Sequence, residues 1–214
     1  MSAELDEWLS EGSQTLDPVL RNATQRVFDY SNRIAPNLRA SGLDAMRYIP
    51  YGIENIKGID GLVEIAKLLP PEMVGVEIGS YAGESTMFWW LTGKFKKFYA
   101  IDYCKPPDGI PPDLIMENVI RPAGDLIEFM QMTSMEAVSK IPDGINLLYI
   151  DGAHTYQNVK QEIEAFLPKM ASPGWIAGHD YTRMHNFTVI DAVDEKFGKP
   201  DNVYPDTSWI KRVR

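Results

Sequence analysis

The sequence predicts an α/β fold: a mostly parallel sheet of seven strands with helices on both faces, a C-terminal antiparallel hairpin, and a helical segment in front. Three observations carry this. From residue 72 onward, short apolar runs alternate with stretches of helical period, the pattern of repeated strand–helix units that build a parallel sheet. The first two of those runs each end in a carboxylate, Glu77 and Asp102, with a small-residue turn after the first. The last two candidate strands have no helix between them, which calls for an antiparallel pair at one edge.

The elements follow in order. Residues 1–70 read as helices and loops that form a lid, a cap or a contact in a homodimer rather than an independent domain, with the main domain at 71–214. Leu5, Trp8 and Leu9 share one helical face. Asp17 before Pro18 is an N-cap with proline at the first helical position, where its missing N–H costs nothing. Val19, Leu20, Ala23, Val27, Tyr30 and Ile34 continue a helical stripe. The stretch 36–58, rich in Gly and Pro, reads as an irregular connection in which Tyr48 and Tyr51 suit a lid. Asp60 is the expected cap of a helix bearing Leu62, Ile65, Ala66 and Leu69, which Pro70 and Pro71 stop.

Met73–Ile78 is the first expected strand, 85–91 the first helix of the main domain, and 98–101 the second strand. A helix is expected over 111–121, a third strand over 126–130, a helix over 135–140 and a fourth strand over 145–150. Residues 155–170 give the clearest helix, with Tyr156, Val159, Ile163, Phe166, Leu167 and Met170 at helical spacing. A fifth strand at 175–177 follows a Pro173-Gly174 turn; Val189, Ile190, Val193 and Phe197 mark another helix. Val203-Tyr204 and 209–213 form the closing hairpin around Pro205-Asp206.

Composition narrows the function. The chain has 214 residues, enough for one domain that buries roughly 70% of its extended-chain surface without staples. Its single cysteine, Cys104, excludes an internal disulfide and fits a reducing compartment. A formal net charge of -9 argues against nucleic acid as a partner. The sequence shows neither a membrane-spanning apolar run nor a signal-peptide pattern, so a cytoplasmic location is expected.

In an open parallel sheet, ligands bind outside the carboxyl ends of the strands. Five such ends are polar here: Glu77 to Gly83, Asp102-Tyr103-Cys104, Gln131 to Ser134, Asp151 to His154, and His179-Asp180-Tyr181, and they hold two of the three histidines. Gly79 and Gly83 suit close approach of backbone to a ligand, though an ordinary strand-to-helix turn also favours glycine. Asp102 at the next strand end adds a carboxylate for ribose hydroxyls. Glu77 inside an apolar run is costly unless paired or facing a cleft. Trp89-Trp90 reads as helix-on-sheet packing, and Met130, Met132 and Met135 as core and pocket lining. His185 and Arg183 read as exposed.

Glu77-Ile-Gly-Ser-Tyr-x-Gly-x-Ser-Thr86 resembles the first motif of class I S-adenosylmethionine-dependent methyltransferases, which have a Rossmann-like fold. Ile150-Asp-Gly-x-His-x-Tyr156 and Pro173-Gly-Trp-Ile-x-Gly-His-Asp-Tyr181 resemble the branch of small-molecule and sugar O-methyltransferases and cephalosporin hydroxylase-like proteins. The resemblance spans about residues 60–214. It implies that Gly79, Ser80, Tyr81 and Gly83 pass under the methionine part of S-adenosylmethionine, with Glu77 supporting that loop or the amino group. It implies that Asp102 holds the ribose, Tyr103 packs on the adenine, and Thr133 and Ser134 lie at its edge. Asp151, His154 and Asp180 become the catalytic candidates, with Asp151 also beside the cofactor. His154 is the implied general base, a task that the ordinary imidazole pKa of about 6.5 suits. Metal-dependent relatives place ligands where Asp151, His179 and Asp180 stand. A divalent ion there, Mg or Mn, would hold a hydroxylated acceptor and lower its pKa. His179 departs from an all-oxygen set; imidazole suits Mn, Fe or Zn better than Mg. Two alternatives remain at this point. One is a nicotinamide-dependent oxidoreductase, against which the Gly-x-x-x-Gly spacing speaks. The other is a non-catalytic module that keeps only the cofactor pocket.

Overall fold

A computed structural model describes residues 17–40, 59–104, 111–183 and 188–214. The expectations for Leu5, Trp8, Leu9, Tyr48, Tyr51 and His185 lie outside the described residues. Seven strands, β1 Met73–Ile78, β2 Phe95–Ile101, β3 Ile127–Met130, β4 Ile145–Ile150, β5 Met170–Gly178, β6 Asn202–Val203 and β7 Trp209–Val213, form one sheet in the order β3-β2-β1-β4-β5-β7-β6. The pairs among β1 to β5 are parallel. β7 runs antiparallel to both β5 and β6. The order reverses beside β1, which opens a crevice at the carboxyl ends of β1 and β4.

The helices are α1 Pro18–Ala40, α2 Asp60–Leu68, α3 Glu84–Leu91, α4 at 112–123, α5 Ser134–Ala137, α6 Tyr156–Phe166 and α7 Val189–Phe197. Within α4 the middle turn, Met116–Ile120, is a π-turn. Residues of α1 to α4 pack on one sheet face with Phe98, Ala100, Leu147 and Tyr149. Residues of α5 to α7 pack on the other with Ile101, Leu148, Ile150 and Ile176. Alternate residues of β4 thus serve opposite cores, and the strand reads as a continuous apolar run because both faces are covered. Trp89 is fully buried, edge-on to Phe88, Phe95 and Tyr149, the helix-on-sheet packing its sequence implied.

Several boundaries differ from the sequence reading. α1 continues through Pro36 to Ala40 instead of ending in a connection. Asp60 does not cap α2: Ile59 is the cap residue, and Asp206, in the turn before β7, accepts from Gly61 N–H at 2.7 Å. β2 begins three residues early because Lys96 and Lys97 hide a strand end, Lys97 lying over the Tyr99 ring. α5 is a single turn, and Met170 starts β5 rather than ending α6. Pro173-Gly174 lies within β5. The β4 register passes from Ile145↔Met170 to Leu147↔Trp175, so 171–174 form an irregularity where proline has no N–H for the ladder. Among the described residues, no helix is long and apolar enough to cross a membrane.

Candidate functional site

The chain leaves β1 through a turn that needs glycine at two places for different reasons. Gly79 has φ +92, and a Cβ there would stand 2.1 Å from the Asp151 carbonyl oxygen. Only a residue without a side chain lets the β1 and β4 ends come this close. Gly83 has φ +88 at the start of α3, and a Cβ there would meet Ile115 and Val119 of α4. Its requirement is helix packing, not ligand approach. Between them, Tyr81 also has a positive φ, and its N–H donates to Asp102 Oδ2 at 2.7 Å. Cys104 N–H donates to Asp102 Oδ1 at 2.8 Å. Asp102 is therefore fixed by two backbone amides, yet each oxygen keeps lone-pair capacity for a ligand hydroxyl. From α1, the buried Tyr30 hydroxyl donates to the Ala82 carbonyl at 2.6 Å and backs the same loop.

A cavity of about 1000 Å³ opens over these strand ends. Of the expected site residues, Gly79, Ser80, Tyr81, Asp102, Tyr103, Thr133, Ser134, Asp151, His154 and Asp180 line it. Glu77, Gly83 and His179 do not. Glu77 is 0% exposed beneath the loop, where it accepts a hydrogen bond from the Thr86 hydroxyl. Burial pushes its carboxyl up to about 7, against the opposing pull of that hydroxyl. It supports the turn from below rather than facing the cavity.

The cavity is apolar at one end and charged at the other. At the β2 and β3 ends, Tyr103 and Met135 expose 45% and 48% of their surface. Thr133 and Glu136 form a reciprocal capping box at the start of α5, so the Thr133 hydroxyl serves the helix. Ser134 instead donates to Glu162 Oε1 at 2.7 Å. Glu162 and Glu84 line the cavity too, and sequence reasoning missed both. A signal for Glu162 exists: it is an acid inside the apolar stripe Val159, Ile163, Phe166. It is 5% exposed, and burial pushes it up to about 7, with the Ser134 hydrogen bond and His154 opposing.

At the β4 and β5 ends, Asp151, His154 and Asp180 offer ligand atoms that all lie within 4.8 Å of one another. His154 Nε2 is 2.9 Å from Asp180 Oδ2 and 3.6 Å from Asp151 Oδ1. This corrects the expected set: His154, not His179, joins the two aspartates. His179 Nδ1 lies 3.3 Å from Asp180 Oδ1, outside that group. Both residues lie past the end of β5, where Asp180 takes a left-handed backbone with φ 57, and of the two Asp180 lines the cavity. Burial works against charge on His154, but hydrogen bonds and coulombic attraction from Asp151 and Asp180 outweigh it and hold the imidazole up at about 10. The expectation of an imidazole near its ordinary value is corrected accordingly. His179 is raised to about 9, burial again being overcome by Asp180 and the neighbouring carboxylates. Asp180, despite its burial, is held well below the usual carboxylate range by the two imidazoles. Arg183 stands outside the cavity, paired with Asp191 at 2.5 Å.

A family profile described as a methyltransferase domain matches residues 76–181, the span from β1 to the end of this cluster. An O-methyltransferase from Bacillus cereus, solved in complex with S-adenosylhomocysteine, superposes with a TM-score of 0.59 at 16% identity, over 98% of this chain and 97% of that one. The O-methyltransferase NovP superposes with a TM-score of 0.53 at 18% identity, over 94% of this chain and 99% of that one. A precorrin-6y C5,15-methyltransferase from Geobacter metallireducens gives 0.52 at 17% identity, over 70% and 85%. At these identities the likeness is one of fold. No curated protein matches by sequence.

Proposed function

We propose that the chain is a class I S-adenosylmethionine-dependent methyltransferase and that it methylates a hydroxyl oxygen of a small hydroxylated molecule held against Asp151, His154 and Asp180. One observation carries this reading. A cluster of two carboxylates and an imidazole stands at one end of a cavity whose other end is apolar, with the Asp102 carboxylate on the wall between the two.

The cavity's chemistry fits the cofactor. Tyr103 and Met135 offer apolar surface for a flat base, and Asp102 keeps acceptor capacity for ribose hydroxyls. The bare backbone at Gly79 leaves room for the methionine portion. Five carboxylates on the wall, Glu84, Asp102, Asp151, Glu162 and Asp180, favour a sulfonium cation. Tyr103, Met135 and Asp102 would thus hold the nucleoside toward β2 and β3, leaving the β4 end beside the cluster for the sulfonium.

S-adenosylmethionine bound there would supply the methyl group, its carbon–sulfur bond breaking as the acceptor oxygen bonds to the methyl carbon and S-adenosylhomocysteine leaves. The hydroxyl proton passes to Asp151, the carboxylate farther from His154, and the imidazolium of His154 stabilises the oxyanion. Holding the two atoms in line contributes about 7–11 kcal/mol in favourable cases, so positioning lowers the barrier more than proton transfer does. With its imidazole deprotonated, His154 would instead join Asp151 and Asp180 as a donor set for a divalent cation, Mn²⁺ being a better match than Mg²⁺, and the cation would supply Lewis-acid activation of the acceptor in place of the imidazolium. The test is methyl transfer from S-adenosylmethionine to a panel of diols and phenols, before and after chelation and with Mg²⁺ or Mn²⁺ restored. Product on a hydroxyl oxygen supports the reading. Cofactor binding without transfer to any member of the panel counts against it, and activity indifferent to chelation removes the cation.

A further inference from the structure

We propose that Ser134, held as a hydrogen-bond acceptor by the buried carboxylate of Glu162, selects the 6-amino group of the cofactor's purine, with Glu162 as the positioning residue. This rests on the methyltransferase reading above, which brings an adenine nucleoside into the cavity.

The place of the base follows from the layout of the crevice. The charged cluster occupies the β4 and β5 ends, and the exposed apolar side chains Tyr103 and Met135 occupy the β2 and β3 ends. A flat heterocycle belongs at the apolar end, and Ser134 is the residue next to Met135 there. Of the two aliphatic hydroxyls at that end of the wall, Thr133 is committed to the capping box. Ser134 is therefore the aliphatic hydroxyl left to meet a ligand.

A serine hydroxyl has one hydrogen and two lone pairs. When Glu162 is ionised the hydrogen is committed to its Oε1 at 2.7 Å, so Ser134 offers a ligand only lone pairs. A lone pair accepts from the exocyclic amine of adenine and repels the 6-oxo group of hypoxanthine. The unaided hydroxyl would rotate to suit either.

Glu162 carries a stability cost that this role explains. It is an acid on the buried stripe of α6, and its Oε2 has no hydrogen-bond partner among the described residues. An apolar side chain would continue the stripe of Val159, Ile163 and Phe166 without burying a carboxylate. Its other oxygen, Oε1, is the one that accepts from Ser134.

The experiment is titration calorimetry of S-adenosylhomocysteine and its deaminated analogue S-inosylhomocysteine against the full chain, at a pH well above the Glu162 value of about 7 so that its carboxyl is ionised. The wild type should prefer the adenosyl compound by about tenfold or more, the scale of one matched against one mismatched hydrogen bond. Glu162→Ala frees the hydroxyl to donate and should bring the ratio toward one, chiefly by improving inosyl binding. Glu162→Gln, whose carbonyl oxygen still accepts from Ser134, should restore the ratio, an outcome a purely structural role would not produce. Ser134→Ala should lower adenosyl affinity and also flatten the ratio, and it decides the matter alone if Glu162→Ala does not fold. A wild-type ratio near one, or a ratio unchanged in Glu162→Ala or Ser134→Ala, overturns the proposal while the methyltransferase reading stands. Failure of both compounds to bind the wild type sinks the cofactor reading and this inference with it.

Discussion

The two edges of the crevice are built by different means. On the β1–β2 edge the geometry is made by backbone: left-handed turns at Gly79, Tyr81 and Gly83, and two amides fixing Asp102. On the β4–β5 edge it is made by side chains, with His154 between Asp151 and Asp180. A backbone cradle is set before any ligand arrives and fails by steric change. A side-chain cluster is held by charge balance and fails when a charge is removed. The first edge should therefore govern affinity for the cofactor, and the second the rate of transfer.

The severest test attacks the seam. Gly79 is where the edges touch, its absent Cβ replaced by the Asp151 carbonyl. Gly79→Ala adds both left-handed strain, about 1–2 kcal/mol, and a clash that backbone must relieve. S-adenosylhomocysteine affinity and turnover should both fall by more than about 100-fold, beyond what the strain alone predicts. Near-normal affinity by calorimetry would mean the edges are not joined there. Next in size, His154→Ala should lower kcat by about 10²–10³-fold while cofactor affinity changes little, because it removes the charge that faces the developing oxyanion. A parallel loss of affinity would make His154 a structural brace. Asp102→Ala reverses the pattern. Losing a charged acceptor for ribose hydroxyls should weaken S-adenosylhomocysteine binding by about 10–100-fold, with kcat at saturating cofactor nearly kept.

The same contrast explains what can be read from the chain. The backbone edge is legible because its requirements are local: glycines at fixed spacing after an apolar run, and a carboxylate at the next strand end. Glu77 is visible as an anomaly, but its partner Thr86 lies on a helix turn that only the fold brings beneath the loop. The side-chain edge is half legible. Asp151 and Asp180 stand out at their strand ends, while the choice between His154 and His179 depends on which imidazole turns inward. Glu162 escapes notice because a single acid in a helical stripe is easily absorbed into the pattern. The parallel sheet and most element types follow from periodicity. The Asp206 contact to Gly61 cannot, since it joins positions 145 residues apart.

The gentlest test reaches the backbone edge from outside the matched span. α1 precedes residues 76–181, yet its Tyr30 hydroxyl donates to the Ala82 carbonyl inside the cofactor loop. The ring is buried against the same core that carries α3, so Tyr30→Phe removes one hydrogen bond and leaves the packing. A lost neutral hydrogen bond is worth about 1 kcal/mol, so S-adenosylhomocysteine affinity should drop about fivefold if the bond holds the loop in its binding shape. Turnover at saturating cofactor should not change, because Asp151, His154 and Asp180 lie on the other edge. A lower melting temperature with unaltered affinity would assign Tyr30 to fold stability alone. The loop would then be held by Gly79, Gly83 and the Asp102 carboxylate without help from α1.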